Sequence, residues 1–193
     1  MKKITLIAAV AFSTLLCSFK PAEQATTWSL DKAHAKLGFT ITHLMVSEVE
    51  GFFKNFDAKI TTKSADFSDA TVEMTAEVGS INTDNEKRDG HLKSGDFFDA
   101  EKFPKLTFTS TSFKKAGKEY KVKGNLTMHG VTKPVELTAV ARTGTNPMSK
   151  KDIAGFKITG KIKRSDFGIG SSMPSAMLSE EVEITANAEF SKD

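Results

Sequence analysis

Side chains that change sides at every residue, in stretch after stretch, restrict this chain to a sheet wrapped around an apolar interior. Between residues 156 and 163, Phe156, Ile158, Gly160 and Ile162 fall on one side and Lys157, Thr159, Lys161 and Lys163 on the other. Alternation of period two marks a strand with one buried face. It recurs in Leu37, Phe39, Ile41 and His43, in Ala70, Val72, Met74, Ala76 and Val78, and in Val122, Gly124, Leu126 and Met128. Val135, Leu137, Ala139 and Ala141 repeat it, as do Val182, Ile184, Ala186, Ala188 and Phe190. Residues 106–113 add a strand. Residues 49–60 add another, where Phe52, Phe53 and Phe56 break the alternation and predict a bulge. Roughly eight strands with hairpin-length links predict an all-β antiparallel barrel or sandwich. A barrel of that strand number has an interior wide enough for one small ligand. The outward faces carry Lys, Glu and Thr, whereas a porin would place its apolar band outside.

One segment departs from the pattern. Residues 85–98 are highly polar and end in Phe97 and Phe98. Thr83 or Asp84 is expected to cap a short helix here, the single helical excursion.

The first residues carry an address. Lys2 and Lys3 precede an apolar run from Ile4 to Leu16, and Cys17-Ser18 follow. That order predicts a signal peptide over residues 1–18, a tether over 19–26 and a barrel domain over 27–192, in a periplasmic or secreted protein. The run is shorter than the roughly 20 residues of a membrane span, and no transmembrane segment is expected in the mature chain. Leu16 stands where a lipidated Cys17 would want a small residue, so lipid anchoring is the lesser alternative. Cys17 is the only cysteine, and the mature domain is expected without disulfides or thiolate metal sites. Of the net charge of +3, two units belong to Lys2 and Lys3. The near-neutral remainder, with interspersed signs, offers nothing to nucleic acid.

Signals of catalysis are weak. There is no G-x-S-x-G elbow, and Gly168-Ile-Gly170 lacks the strand-to-helix setting of a dinucleotide loop. Asp31, His34, His43 and Asp89 can be imagined around a metal, yet their spacing matches no ligand signature. No catalytic residue, metal or cofactor is expected, and His91 and His129 read as solvated. What stands out is 15 Phe against one Tyr and one Trp, with Met45, Met74, Met128, Met173 and Met177 adding pliable apolar surface. These residues fit a packed core as well as the wall of a tube.

A set of short motifs decides the direction of the reading. Trp28-x-x-Asp31-x-x-His34, Phe39-x-x-x-His43-Leu-Met-Val46 and Gly51-x-Phe53 resemble the start of the YceI-like domain. Ser80-Ile-x-Thr83, Arg88-Asp89-x-x-Leu92, Asp96-Phe-Phe98, Pro104, Gly124-x-Leu126, Gly130-Val-Thr-x-Pro134 and Arg164-Ser-Asp-Phe-Gly168 continue the likeness through residue 192. Ala58 departs from it, standing where a glycine is frequent. The resemblance implies a lipocalin-like barrel whose apolar tunnel binds a polyisoprenoid, of quinone or prenyl-phosphate type, or another long-chain lipid. The expected wall is Phe39, Ile41, Phe53, Phe56, Met74, Phe98, Phe108, Leu126, Met128, Ile158, Ile162 and Phe167. His43, Arg88, Asp89 and Arg164, polar groups at the ends of apolar rows, are the expected head-group contacts, although Arg88 and Asp89 could instead pin the helix to the barrel. The function expected is that of a carrier or sequestering protein, with an interaction module built on a filled barrel and an enzyme acting on a lipid head as rivals. A homodimer is compatible with the sequence.

Overall fold

The computed structural model describes residues 24–193, so the expected signal peptide and most of the expected tether lie outside the described residues. Ten strand segments form one antiparallel sheet: β1 (Thr26–His43), β2 (Ser47–Phe53), β3 (Phe56–Thr62), β4 (Thr71–Glu77), β5 (Ile81–Asn82), β6 (Lys105–Ala116), β7 (Glu119–Met128), β8 (Val131–Thr145), β9 (Asp152–Lys163) and β10 (Leu178–Lys192). Pairing of β10 with β1 from Trp28↔Lys192 to His43↔Leu178 closes the sheet. The ten segments make an eight-stranded barrel. β2 and β3 are the halves of one strand broken at Lys54-Asn55, pairing with opposite ends of β1. β5 continues β4 past a short 3-10 turn and pairs with β2. The break falls inside the 49–60 stretch whose phenylalanines disturb the alternation. Tight turns explain the up-and-down order. His129 and Gly130 both have positive φ (51° and 73°) between the paired Met128 and Val131, the two-residue geometry that matches strand twist.

The helical excursion is α1 (Glu86–Lys93), and its N-cap is Asn85, whose Oδ1 accepts from the Arg88 amide at 3.0 Å. Thr83 and Asp84, the expected caps, do other work. Asp84 sits at φ 57°. The Thr83 amide and hydroxyl both donate to Asp89 Oδ1, at 2.8 and 2.6 Å. Helix propensity at the cap is shared among Ser, Thr, Asp and Asn, and sequence alone does not separate neighbours of that class.

The two ends of the barrel differ. At the end where β3 turns into β4, an aromatic floor seals the interior. Phe67, 1 % exposed, projects from the β3–β4 loop. Its ring centroid lies 5.1 Å from Trp28 and 5.2 Å from Phe156, and Phe156 meets Phe113 and Phe190 edge to face. Such contacts add roughly 0.5–1.5 kcal/mol per pair beyond area burial. Phe67 adopts φ 60°, a region that bulky residues seldom occupy, so the loop must be held from elsewhere. Asp69 holds it. Its carboxylate accepts from Thr62 Oγ1 (2.6 Å), the Ser64 amide (3.0 Å) and the Lys63 amide (3.2 Å). Tyr120 donates its hydroxyl to the Asp66 carbonyl at 2.7 Å from the facing hairpin.

These donors favour the ionised carboxylate, chiefly the Thr62 hydroxyl, and lower the Asp69 pKa to about 2. A depressed carboxylate pKa adds stability above the unfolded-state value, near 4, and that stability fades as pH falls towards 2. Asp69→Asn is therefore expected to lower stability at neutral pH and to flatten the acid limb of the curve between pH 4 and pH 2. Urea denaturation at stepped pH measures both, and an unchanged acid limb would remove Asp69 from this role.

Candidate functional site

Above the floor the barrel is hollow. A cavity of about 450 Å³ receives side chains from all eight strands and from α1, a volume within the range of small-molecule sites. The hollow follows from where the large inward residues lie. Gly51 pairs with Phe39, and a Cβ on Gly51 would strike the Phe39 ring. A Cβ on Gly124 would strike the Phe108 ring, and one on Gly160 would strike Leu137. Each bulky side chain lies flat over a neighbouring glycine instead of crossing the axis. Ala139 and Ala186 flank Ile158 on its two partner strands and keep that part of the wall thin.

Of the expected wall residues, Phe39, Ile41, Phe53, Phe56, Met74, Phe98, Phe108, Leu126, Met128, Ile158 and Ile162 all line this cavity. Phe167 does not. It lies in the 3-10 turn Arg164–Phe167, buried outside the cavity, and its carbonyl faces His129 Nδ1 at 2.9 Å. The strand ends at Lys163, and in the 3-10 turn that follows no period-two rule assigns Phe167 to the cavity side.

Among the residues lining the cavity only His43, Arg88, His91 and Arg164 are polar, and all four belong to the end opposite the floor. Their roles differ. Asp89, expected beside them, does not line the cavity. It is buried, with Thr83 donating to it twice. Arg88 donates from Nε to Thr83 Oγ1 (2.8 Å) and from Nη2 to the Thr83 carbonyl (2.7 Å). Arg88 and Asp89 thus both grip Thr83, which moors α1 to the end of β5. His43 is exposed at the end of β1. His91 is exposed, as expected, and it also lines the cavity; its ring stands edge-on to Phe97 at 4.9 Å, with Nε2 3.4 Å from Asp96 Oδ2. A polar residue on a nearly all-polar helix carries no signal that would have singled it out.

Arg164 is spent on the protein rather than left for a head group. It is 3 % exposed. Nε donates to the Ser179 carbonyl (3.1 Å), Nη1 to those of Ile169 (3.2 Å) and Gly170, and Nη2 to those of Met173 (2.8 Å) and Leu178 (3.0 Å). Nη2 also meets Glu180 Oε1 at 2.8 Å. Hydrogen bonding from Ser165 and, after the opposing cost of burial, the Arg164 charge hold the Glu180 carboxyl below its ordinary pKa. A buried cation needs such partners. Here they gather residues 164–180 into a strap across the mouth, bringing Ile169, Met173, Met177 and Leu178 onto the cavity.

The imagined metal cluster is divided by the fold. Asp31 and His34 meet at 2.8 Å on a bulge of β1, beside Glu189, at the floor end. Asp31 raises the His34 pKa through that hydrogen bond and its charge, and His34 lowers that of Asp31. His43 and Asp89 stand at the other end.

Comparison with known proteins agrees with this architecture. The YceI-like domain model matches residues 28–190. A UPF0312 protein of Staphylococcus aureus is 41% identical over 174 residues, covering 86% of this chain and 98% of that protein. Protein YceI of Salmonella newport is 42% identical over 168 residues, covering 86% of each. Among solved structures, a Campylobacter jejuni YceI protein superposes with TM-score 0.73 at 29% identity, over 95% of this chain and 99% of the other. Burkholderia cenocepacia BcnA gives 0.74 at 26%, over 83% and 98%. A polyisoprenoid binding domain from Saccharophagus degradans shares the fold at TM-score 0.62 and 16% identity, over 86% and 98%.

Replacing Arg164 by Leu would leave several buried carbonyls without donors. A loss of about 3–5 kcal/mol is expected, together with faster amide exchange over residues 168–178. Exchange confined to the barrel strands would show that Arg164 does not organise the strap. From the closed barrel, the matching span and the identities to its relatives, the chain belongs to the YceI-like family.

Proposed function

We propose that this protein is a carrier or sequestering protein of the cell envelope, holding the tail of a polyisoprenoid or similar long-chain lipid inside the barrel. The observation that carries the reading is the distribution of chemistry along the cavity. Apolar side chains line it from the aromatic floor upward, and its polar lining residues stand at the mouth. Each methylene taken out of water contributes about 0.8 kcal/mol, so a long chain is retained without a covalent bond. A closed floor and an open mouth orient such a ligand tail first. Its head then meets His43, His91 and the exposed side of Arg88.

A solid barrel serving only as an interaction module fits poorly, because the large inward residues lie over glycines and leave volume between them. Retention accounts for the site better than turnover: among the described residues, no carboxylate, hydroxyl or thiol lines the cavity. A shared fold with a polyisoprenoid binding domain supports the ligand class. The signal-like residues 1–18 support an envelope location.

Native mass spectrometry of protein purified from its own source is expected to show a bound lipid of defined mass, and repeatedly bare protein would overturn the reading. Ile158→Trp projects a large ring into the cavity between Ala139 and Ala186. It is expected to reduce uptake of labelled prenyl lipid at least about tenfold, with a change of fold stability under roughly 3 kcal/mol.

A further inference from the structure

The β1–β2 hairpin ends in Leu44, Met45 and Val46, which are 51 %, 66 % and 87 % exposed. Leu44 and Met45 have φ of 52° and 57°, backbone positions where hairpins ordinarily use Asn, Asp or Gly. Apolar side chains are thus held in water on a backbone that disfavours them. Turns that only reverse the chain are dominated by Gly, Pro, Asn, Asp and Ser, none of which stands at 44–46. The tip is also tied to the mouth: the Leu44 amide donates to the Met177 carbonyl at 2.9 Å. Met177 is 46 % exposed and lines the cavity. His43 and Val49, on either side of the hairpin end, line it as well. The apolar surface therefore runs from the outside of the molecule into the cavity.

We infer that Leu44, Met45 and Val46, with Met177, form a membrane-docking tip that inserts into the interfacial region of a lipid bilayer and sets the mouth against it. The inference rests on the proposed carrier role, since it supplies the route by which a membrane lipid reaches the cavity. A second copy of the chain is the competing occupant. A stable protein interface takes about 20–30 residues a side, far more than this narrow tip presents. Shallow insertion needs only a few large apolar side chains at the headgroup boundary. The charged residues that follow the tip are Glu48 and Glu50, whose negative charge opposes an anionic headgroup layer, so the partner surface is the apolar interface of a bilayer.

The test is flotation with phosphatidylcholine vesicles, comparing the chain with its Met45→Asp/Val46→Asp variant. Both carry Cys17→Ser, so that no acyl anchor contributes. Aspartate tolerates the left-handed backbone at position 45, and neither residue lines the cavity. Partition of the unaltered chain into the vesicle fraction is expected, weakened at least about tenfold in the variant. Met148→Asp, on another loop where Met148 is 89 % exposed, should leave partition unchanged. Loading of labelled prenyl lipid from detergent, measured in parallel, should survive in the variant. Equal partition of both chains overturns the inference. So does self-association of the unaltered chain, seen by sedimentation, that the variant abolishes without any vesicle binding. Vesicle binding by a chain that never loads lipid would keep the docking tip and discard the carrier role.

Discussion

Closure of β10 onto β1 is the constraint from which the remaining features follow. With the ladder closed along the length of β1, each inward residue of every strand faces the same axis. Eight strands leave an interior that side chains can just fill. Whether the barrel is solid or hollow is then settled residue by residue. Phe67, Trp28, Phe113, Phe156 and Phe190 cross the axis and interlock at one end. Towards the other end, Phe39, Phe108 and Leu137 lie against the wall over Gly51, Gly124 and Gly160. The same residue type, phenylalanine, builds floor and wall alike. What differs is whether a small neighbour gives the ring somewhere to lie.

Hollow interiors cost stability, because the lining atoms lack partners on one side. The barrel meets that cost with devices away from the cavity. The Asp69 hydrogen bonds hold the floor loop against the strain of Phe67. Arg164 converts residues 164–180 from an extended surface loop into a strap with its carbonyls satisfied. Thr83, bound by both Arg88 and Asp89, fixes α1 beside the mouth. Three polar clusters thus surround an apolar void, each held chiefly by partners within the protein, although Glu180 Oε2 is buried without one. A ligand that fills the void adds its binding free energy to the folded state, and stability and occupancy become linked.

Period-two alternation made the barrel legible, since a one-residue slip would turn a whole strand inside out. Residues on the alternating rows, such as Phe39, Ile41, Met74, Leu126, Met128, Ile158 and Ile162, line the cavity. Alternation fails where strands end. Phe167 lies past Lys163, where the chain turns into a 3-10 helix and the period-two rule no longer assigns a side. Ile169 and Leu178 carry no lining signal in sequence, and Met173 and Met177 only that of pliable apolar surface, because their place depends on the Arg164 hydrogen bonds and not on any local period. Phe67 went unremarked in a polar loop, since nothing local tells that the loop folds inward.

Arg164 shows why polar residues at the end of an apolar row are ambiguous in sequence. Burial of a guanidinium demands acceptors, and a ligand head or the protein's own carbonyls satisfy that demand equally well. Carbonyls from a neighbouring loop are invisible in sequence because every residue has one. Arg88 resembles Arg164 in sequence context but not in outcome. It sits exposed on α1 with Thr83 holding Nε and Nη2, and so it is positioned without being enclosed. A side chain oriented by the protein on one edge and open to solvent on the other is the better candidate for contact with a bound molecule. Burial, usually taken as the sign of importance, here separates the residue that holds the mouth together from the one left available to a ligand.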